Sequence, residues 1–156
     1  MSPSSDFPVR RAHANDAEAI GRLLHELNRE FDDPTPGPAA LARRVRELVA
    51  GGDTVVLLAG GGPDGVVVLR FRLSIWDEGL ECYLAELYVV PRRRGVGLGR
   101  ALVEAALLAA RERGADTMDL GTSETDLVAR HLYERLGFSH REGGNGPLMY
   151  CYEREI

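Results

Sequence analysis

The chain has 156 residues, 44% of them hydrophobic and 28% charged, with a net charge of −5. That length suits one domain over 1–156, with a core large enough to need no disulfide or metal staple. The acidic balance argues against a nucleic-acid binder, which needs a basic face. All 19 basic residues are arginine, a compositional bias of the source more than a functional signal.

Cys82 and Cys151 belong to no CxxC or Cys/His cluster, so two reduced core cysteines and no metal are expected. The opening MSPSSDFPVRRAH carries no apolar run of the kind a secretory leader needs. ALVEAALLAA is too short for a membrane span and is interrupted by Glu104. A cytoplasmic protein without membrane partners is the expectation.

In chain order, a short strand over 9–12 leads to a helix starting near Asn15, whose side chain suits a cap. Ile20, Leu23, Leu24, Leu27 and Phe31 fall at helical spacing and predict one buried face. DDPTPGP (32–38) ends that helix because its prolines cannot continue it. Pro38 then suits the first turn of a second helix through about Ala50, closed by Gly51 and Gly52. TVVLLAG and GVVVLRFRLSI, joined by GGPD, predict a hairpin. LECYLAELYVV predicts another strand, and 98–113 a helix. ADTMDLGTS reads as a short strand and ETDLVARHLYERLG as a helix closed by Gly137. FSHRE and GPLMYCYERE, around GGNG, predict a final strand pair. The order β-α-α-β-β-β-α-β-α-β-β describes an α/β protein, a mixed and mostly antiparallel sheet of about seven strands covered by about four helices.

Between the strand ending ELYVV and the helix of 98–113 stands PRRRGVGLGR. The start of a helix leaves about four N–H groups without intrahelical partners, and with the helix dipole they form an anion site. Glycines let the backbone approach an anion closely. Arg92, Arg93, Arg94 and Arg100 add charge, and a guanidinium suits phosphate geometry. The loop therefore reads as a phosphate or pyrophosphate holder. It lacks the GKS or GKT of a nucleotide-triphosphate loop, and its third glycine comes one place early for a dinucleotide fingerprint.

RGVGLG fits R/Q-x-x-G-x-G/A and so resembles the acetyl-CoA pyrophosphate motif of the GNAT N-acetyltransferase superfamily, with Arg94, Gly97 and Gly99 in the defining places. SETDLVARHLYERLGF is similar to the second cofactor-side motif of that family, N-x-x-A-x-x-x-Y-x-x-x-G-F, through Ala129, Tyr133, Gly137 and Phe138. The resemblance implies direct transfer of the acetyl group of acetyl-CoA to a primary amine, without a metal or a covalent acyl-enzyme. It implies that Arg94, Gly95, Val96, Gly97, Gly99 and Arg100 surround the pyrophosphate. It further implies that Leu87, Tyr88 and Val89 pair through the backbone with the pantetheine arm, with the Val89 N–H facing the developing oxyanion. Asp126 stands where the family often has Asn and cannot donate as an amide does, so a cap is as good a reading as a cofactor contact.

Glu86 directly precedes LYVV, where many relatives carry an acidic general base; alternation groups it with Leu84 and Tyr88, and Glu81 is the alternative base. Tyr133 matches the family tyrosine that protonates the departing sulfur. The acceptor site of the family is built partly by the loop between the first two helices. Here that loop carries Glu30, Asp32 and Asp33, an acidic rim suited to a small cationic amine. Asp77 and Glu78 add to the acids near it. Three functional readings stand at this level: acetylation of a small molecule, acetylation of protein amines, and a non-catalytic acyl-CoA-binding module. A homodimer is an open option.

Overall fold

The apolar runs in the middle of the chain become long paired strands. A single five-stranded sheet, ordered β1-β2-β3-β4-β5, contains β1 (Val9–Arg11), β2 (Thr54–Ala59), β3 (Gly65–Leu73), β4 (Leu80–Val89) and β5 (Ala115–Asp119). Every neighbouring pair is antiparallel except β4–β5, which is parallel. β2 and the first half of β3 are buried on both faces, which is why TVVLLA and GVVVL show no apolar–polar alternation. The computed structural model describes residues 7–156, and the chain falls into two compact units, Met1–Asp119 and Leu120–Ile156.

In the first unit, helices α1 (Ala17–Glu30) and α2 (Pro38–Ala50) cover one sheet face. Ile20 and Leu23 of α1 and Ala42 and Val45 of α2 pack there with Val56, Leu58, Val66, Val68 and Tyr88. Each fully buried leucine or isoleucine contributes roughly 1.5–3 kcal/mol by leaving water. Helix α3 (Leu98–Glu112) covers the opposite face. Leu102 there lies so near Gly65 that a Cβ on the glycine would stand 2.9 Å from its methyl carbon, and the Arg113 guanidinium lies 4.7 Å from the centre of the Phe71 ring.

The N-terminal entry differs in detail from the expectation. Asn15 lies inside a 3-10 turn (Ala14–Asp16), and Asp16 organises that turn by accepting the His13 amide at 2.8 Å and a forked pair from Arg10 at 2.8 and 2.9 Å. These contacts, with the guanidinium foremost, hold the Asp16 carboxyl down at about 2.

The second unit contains helix α4 (Leu127–Arg135), capped by Asp126, whose Oδ1 accepts the Ala129 amide at 3.1 Å. Gly137, at φ 91°, turns the chain out of α4, and the Phe138 amide reaches back to the Tyr133 carbonyl at 3.0 Å. The expected final pair of strands is absent among the described residues, so the sheet has five strands and not seven. FSHRE and GPLMYCYERE meet in a single antiparallel bridge, Arg141↔Leu148. Leu148, Met149, Tyr150 and Tyr152 remain exposed, and a two-stranded ribbon that buries no apolar face does not hold an extended ladder. Cys82 is a buried core thiol, pushed up to about 11 chiefly by desolvation, whereas Cys151 is exposed and no core residue.

Gly21 sets the approach of α1 to α2. A Cβ there would stand 2.5 Å from the Pro38 carbonyl oxygen and 2.9 Å from the Ala42 nitrogen. Gly21→Ala, which raises helix propensity by about 1 kcal/mol in isolation, should therefore lower stability by about 1–3 kcal/mol through overpacking. Urea unfolding of the variant checks this, and an unchanged or raised midpoint contradicts it.

Candidate active site

The loop between β4 and α3 folds as a 3-10 turn (Pro91–Arg93) followed by residues 94–97. Gly95 and Gly97 have φ of 78° and 99°, conformations that side chains with a Cβ rarely adopt. Gly97 is the N-cap of α3 and offers no side chain to its first turn, which also contains no acid. The first intrahelical bond runs from Ala101 to Gly97, leaving the amides of Leu98, Gly99 and Arg100 as unsatisfied helix donors. A positive helix end with bare amides and no internal carboxylate fits a pyrophosphate.

The arginines are placed differently from the expectation. Arg92 and Arg93 reach Asp64 at 3.1 and 3.6 Å, and Arg100 pairs with Glu104 at 2.8 Å within α3. Arg94 forms a two-pronged pair with Glu30 at 2.6 Å on both prongs, and its Nε donates to the Val89 carbonyl at 2.8 Å. Its guanidinium also lies 5.5 Å from the centre of the Tyr88 ring. Each of these arginines thus has an acidic partner, with Arg92 and Arg93 sharing Asp64, and the feature of the loop open to an anion is its backbone.

Glu30 is accordingly no open rim acid: Arg94 clamps it, and that contact foremost lowers its pKa. The clamp joins the end of α1 to the end of β4. Desolvation, then Glu30 and Glu26, raise the Tyr88 phenol. Asp32 and Asp33 are exposed in the turn beyond α1, and Asp32 has a positive φ of 56°.

β4 parts from β5 after Tyr83↔Asp119, so among the described residues no strand pairs with 84–89 on that side. The Val90 amide donates to the Asp64 carbonyl at 2.9 Å, which makes Val89↔Gly65 a pair without mutual hydrogen bonds. Alternation then gives the peptide groups of Tyr88 to β3 and turns those of Leu87 and Val89 toward the open edge. The Arg94 contact with the Val89 carbonyl lies on that same side. The expectation that Tyr88 shares the edge is corrected: its backbone is used by β3, and its ring is buried against α1.

β4 also carries one residue more than β3, because Val68 faces Glu86 while Leu69 faces Leu84. Ala85 is the extra residue. Cross-strand partners share a face and successive residues alternate, so Glu86 lies with Val68 and Tyr88 on the α1/α2 face. Leu84 lies with Leu69 on the other, and the simple alternation that grouped Leu84 with Glu86 fails at this bulge.

Glu86 lines an apolar recess of about 160 Å³ with Leu24, Val45, Leu48, Thr54, Val56, Val68, Arg70 and Ala85. Glu86 itself is solvent-exposed, so water reaches the carboxyl through the mouth of this recess and its hydration is only partly lost. Loss of hydration, and then the negative charge of Asp33, push its pKa up. Glu81 is bound to Arg72 and lacks such freedom. Tyr133, in the second unit, is buried, and Phe138 meets its ring edge-on at 5.7 Å. Among the described residues no group of three or more His, Cys, Asp or Glu side chains could hold a metal. No described helix is long and apolar enough to cross a membrane.

The raised Glu86 pKa has a thermodynamic consequence. Folding disfavours the charged carboxylate, so the penalty is absent below the ordinary value of 4.5, grows toward the raised folded value, and persists above it. Glu86→Gln removes the penalty. Calorimetry should find the variant melting slightly above wild type at about pH 8 and together with it near pH 4; a lower melting temperature at pH 8 contradicts the partial desolvation of the carboxyl.

The family model of the acetyltransferase (GNAT) family matches residues 20–138. A mycothiol acetyltransferase of Thermobispora bispora is 36% identical over 134 residues, covering 83% of this chain and 40% of that protein. The chain therefore spans well under half of that relative's length. YhfO of Bacillus subtilis, described as an uncharacterized N-acetyltransferase, is 31% identical over 148 residues, 92% of this chain and 95% of its own. A crystal structure from Arthrobacter sp. FB24, provisionally assigned as an acetyltransferase, is 42% identical with a TM-score of 0.89, covering 100% of this chain and 99% of the other. With bare amides at the start of α3, an open edge on β4 and these relatives, the chain belongs to the GNAT acetyltransferase family.

Proposed function

We propose that the chain, taken as one domain over 1–156, moves the acetyl group of acetyl-CoA to a primary amine of a small molecule, with Glu86 as the base. The observation that carries this reading is a carboxyl of raised pKa, in an apolar recess, on the strand whose open edge lies beside the anion-binding loop. A base is most useful when its pKa approaches the working pH.

The bound donor supplies an acetyl thioester. The amides of Leu98, Gly99 and Arg100 hold its pyrophosphate, with Gly95, Val96 and Gly97 letting the backbone close around it. Leu87 and Val89 take the pantetheine arm as an added strand, and the Val89 N–H faces the carbonyl oxygen as charge develops there. Arg94 acts as a brace that fixes the Val89 peptide through its carbonyl, in place of the direct phosphate contact that the motif implies. Glu86 takes the proton that the attacking amine must lose; the new C–N bond forms as the C–S bond breaks. Tyr133, assigned by its position in the second motif, gives the leaving sulfur a proton. A thiol has a pKa of about 8.5, so this help is worth less than the base. Asp126 is assigned the α4 cap and no cofactor contact. Asp32 and Asp33 keep the role of drawing in a cationic amine, and the acid at Asp33 also sustains the basicity of Glu86.

Free-thiol release from acetyl-CoA across an amine panel tests the reaction. Glu86→Gln should lower kcat by about 10²-fold, with the loss shrinking at high pH as free amine accumulates. Tyr133→Phe should lower kcat more than acetyl-CoA affinity. A panel with no turnover despite tight CoA binding would mark a non-catalytic module, and wild-type rates in Glu86→Gln across pH would place the base elsewhere.

A further inference from the structure

Beyond Glu86 the exposed part of the same sheet face continues as a second recess, lined by Arg70, Phe71, Arg72, Glu81, Tyr83 and Ala85. Arg70 lines both recesses. Cross-strand pairing explains the continuity: Val68 faces Glu86, Arg70 faces Tyr83 and Arg72 faces Glu81, all on one face of the sheet.

The charges along this strip are not all matched. Arg72 and Glu81 neutralise each other. Arg70 is exposed, and its guanidinium has no hydrogen bond or ion pair with another described residue. Glu86 likewise has no cationic partner: the influences acting on it are lost hydration and the negative charge of Asp33, not a guanidinium. One open cation and one open carboxyl therefore line a common recess without pairing. They are diagonal neighbours across β3 and β4, with backbones roughly 7–8 Å apart.

Resting on the acetyl-transfer reading, we infer that the acceptor is an amine that also carries an anion, a carboxylate or a phosphate, which Arg70 holds while the amine faces Glu86. A guanidinium grips either anion through two parallel N–H donors. The acid end of the recess, Glu86 with Asp33 near it, draws in the ammonium, and the basic end fixes the orientation. The separation suits a molecule of amino-acid size. Tyr83, on the same sheet face as Arg70, supplies a partly apolar wall for the linking carbons.

The test uses matched acceptors: lysine, lysinamide and cadaverine; β-alanine and β-alaninamide; phosphoethanolamine and ethanolamine. Thiol release and calorimetric binding in the presence of CoA are measured with wild type, Arg70→Gln and Arg70→Lys. Wild type should prefer the anionic member of at least one set by about tenfold or more, through KM. Arg70→Gln should erase that preference with the acetyl-CoA KM unchanged, and Arg70→Lys should restore part of it. Which sets show the effect separates carboxylate from phosphate. Binding of anionic acceptors that depends on Arg70, but without turnover, supports this site and overturns the acetyl-transfer reading. Turnover or binding in which neutral partners match the anionic ones, or in which Arg70→Gln changes nothing, overturns the site.

Discussion

A strand with one residue more than its neighbour must turn two successive side chains toward the same face or leave one peptide unpaired. In β4 that residue is Ala85. Before it, Cys82 and Leu84 are buried side chains of the core; after it, Glu86 and Tyr88 stand over α1 and α2. Without the bulge, Glu86 would continue the row of Cys82 and Leu84 toward the buried α3 face, where an ionised carboxyl is costly. The insertion thus sets an acid between the buried side chains of Leu84 and Tyr88 without sending it into the α3 face.

The same strand loses its parallel partner after Tyr83. Hydrogen bonding to β3 fixes its other edge, so the peptide groups of Leu87 and Val89 have only one direction left, toward the gap. That gap adjoins the turn whose glycines expose the start of α3. Strand edge and helix end are two forms of one condition, backbone donors without protein acceptors, and this chain sets them on either side of an eight-residue loop at 90–97. The Arg94–Glu30 clamp binds this corner to α1, so the helix that walls the recess and the loop suited to the anion share one ionic joint.

Much of the architecture was legible because local physics and tertiary structure agreed. The proline at position 38, the helical spacing of Ile20, Leu23, Leu24 and Leu27 in α1 (Phe31, the last of that series, lies past the helix and is exposed), the continuous apolar runs of β2 and β3, and Gly137 at the end of α4 each dictate an element without help from distant residues. The failures occur where an element depends on a partner. The segment after Gly137 has strand-forming residues but no apolar face is covered, so it closes by one bridge. Arginines around the glycine loop read as free charge along the chain, yet Asp64 and Glu30 lie 28 and 64 residues away in sequence and claim them.

The sequence by itself determined the family, through two motifs whose spacing needs no fold to be recognised, and it marked out the backbone segment suited to an anion, since glycines and an uncapped helix start are local facts. Only the tertiary structure decided which side chains remain available. Glu81 is taken by Arg72 and Glu30 by Arg94, while Glu86 and Arg70 are left open in one recess. The reason is that charge neutralisation is settled in space: an ion pair depends on a few ångströms between side chains, and strand register, helix packing and a single inserted residue set that distance.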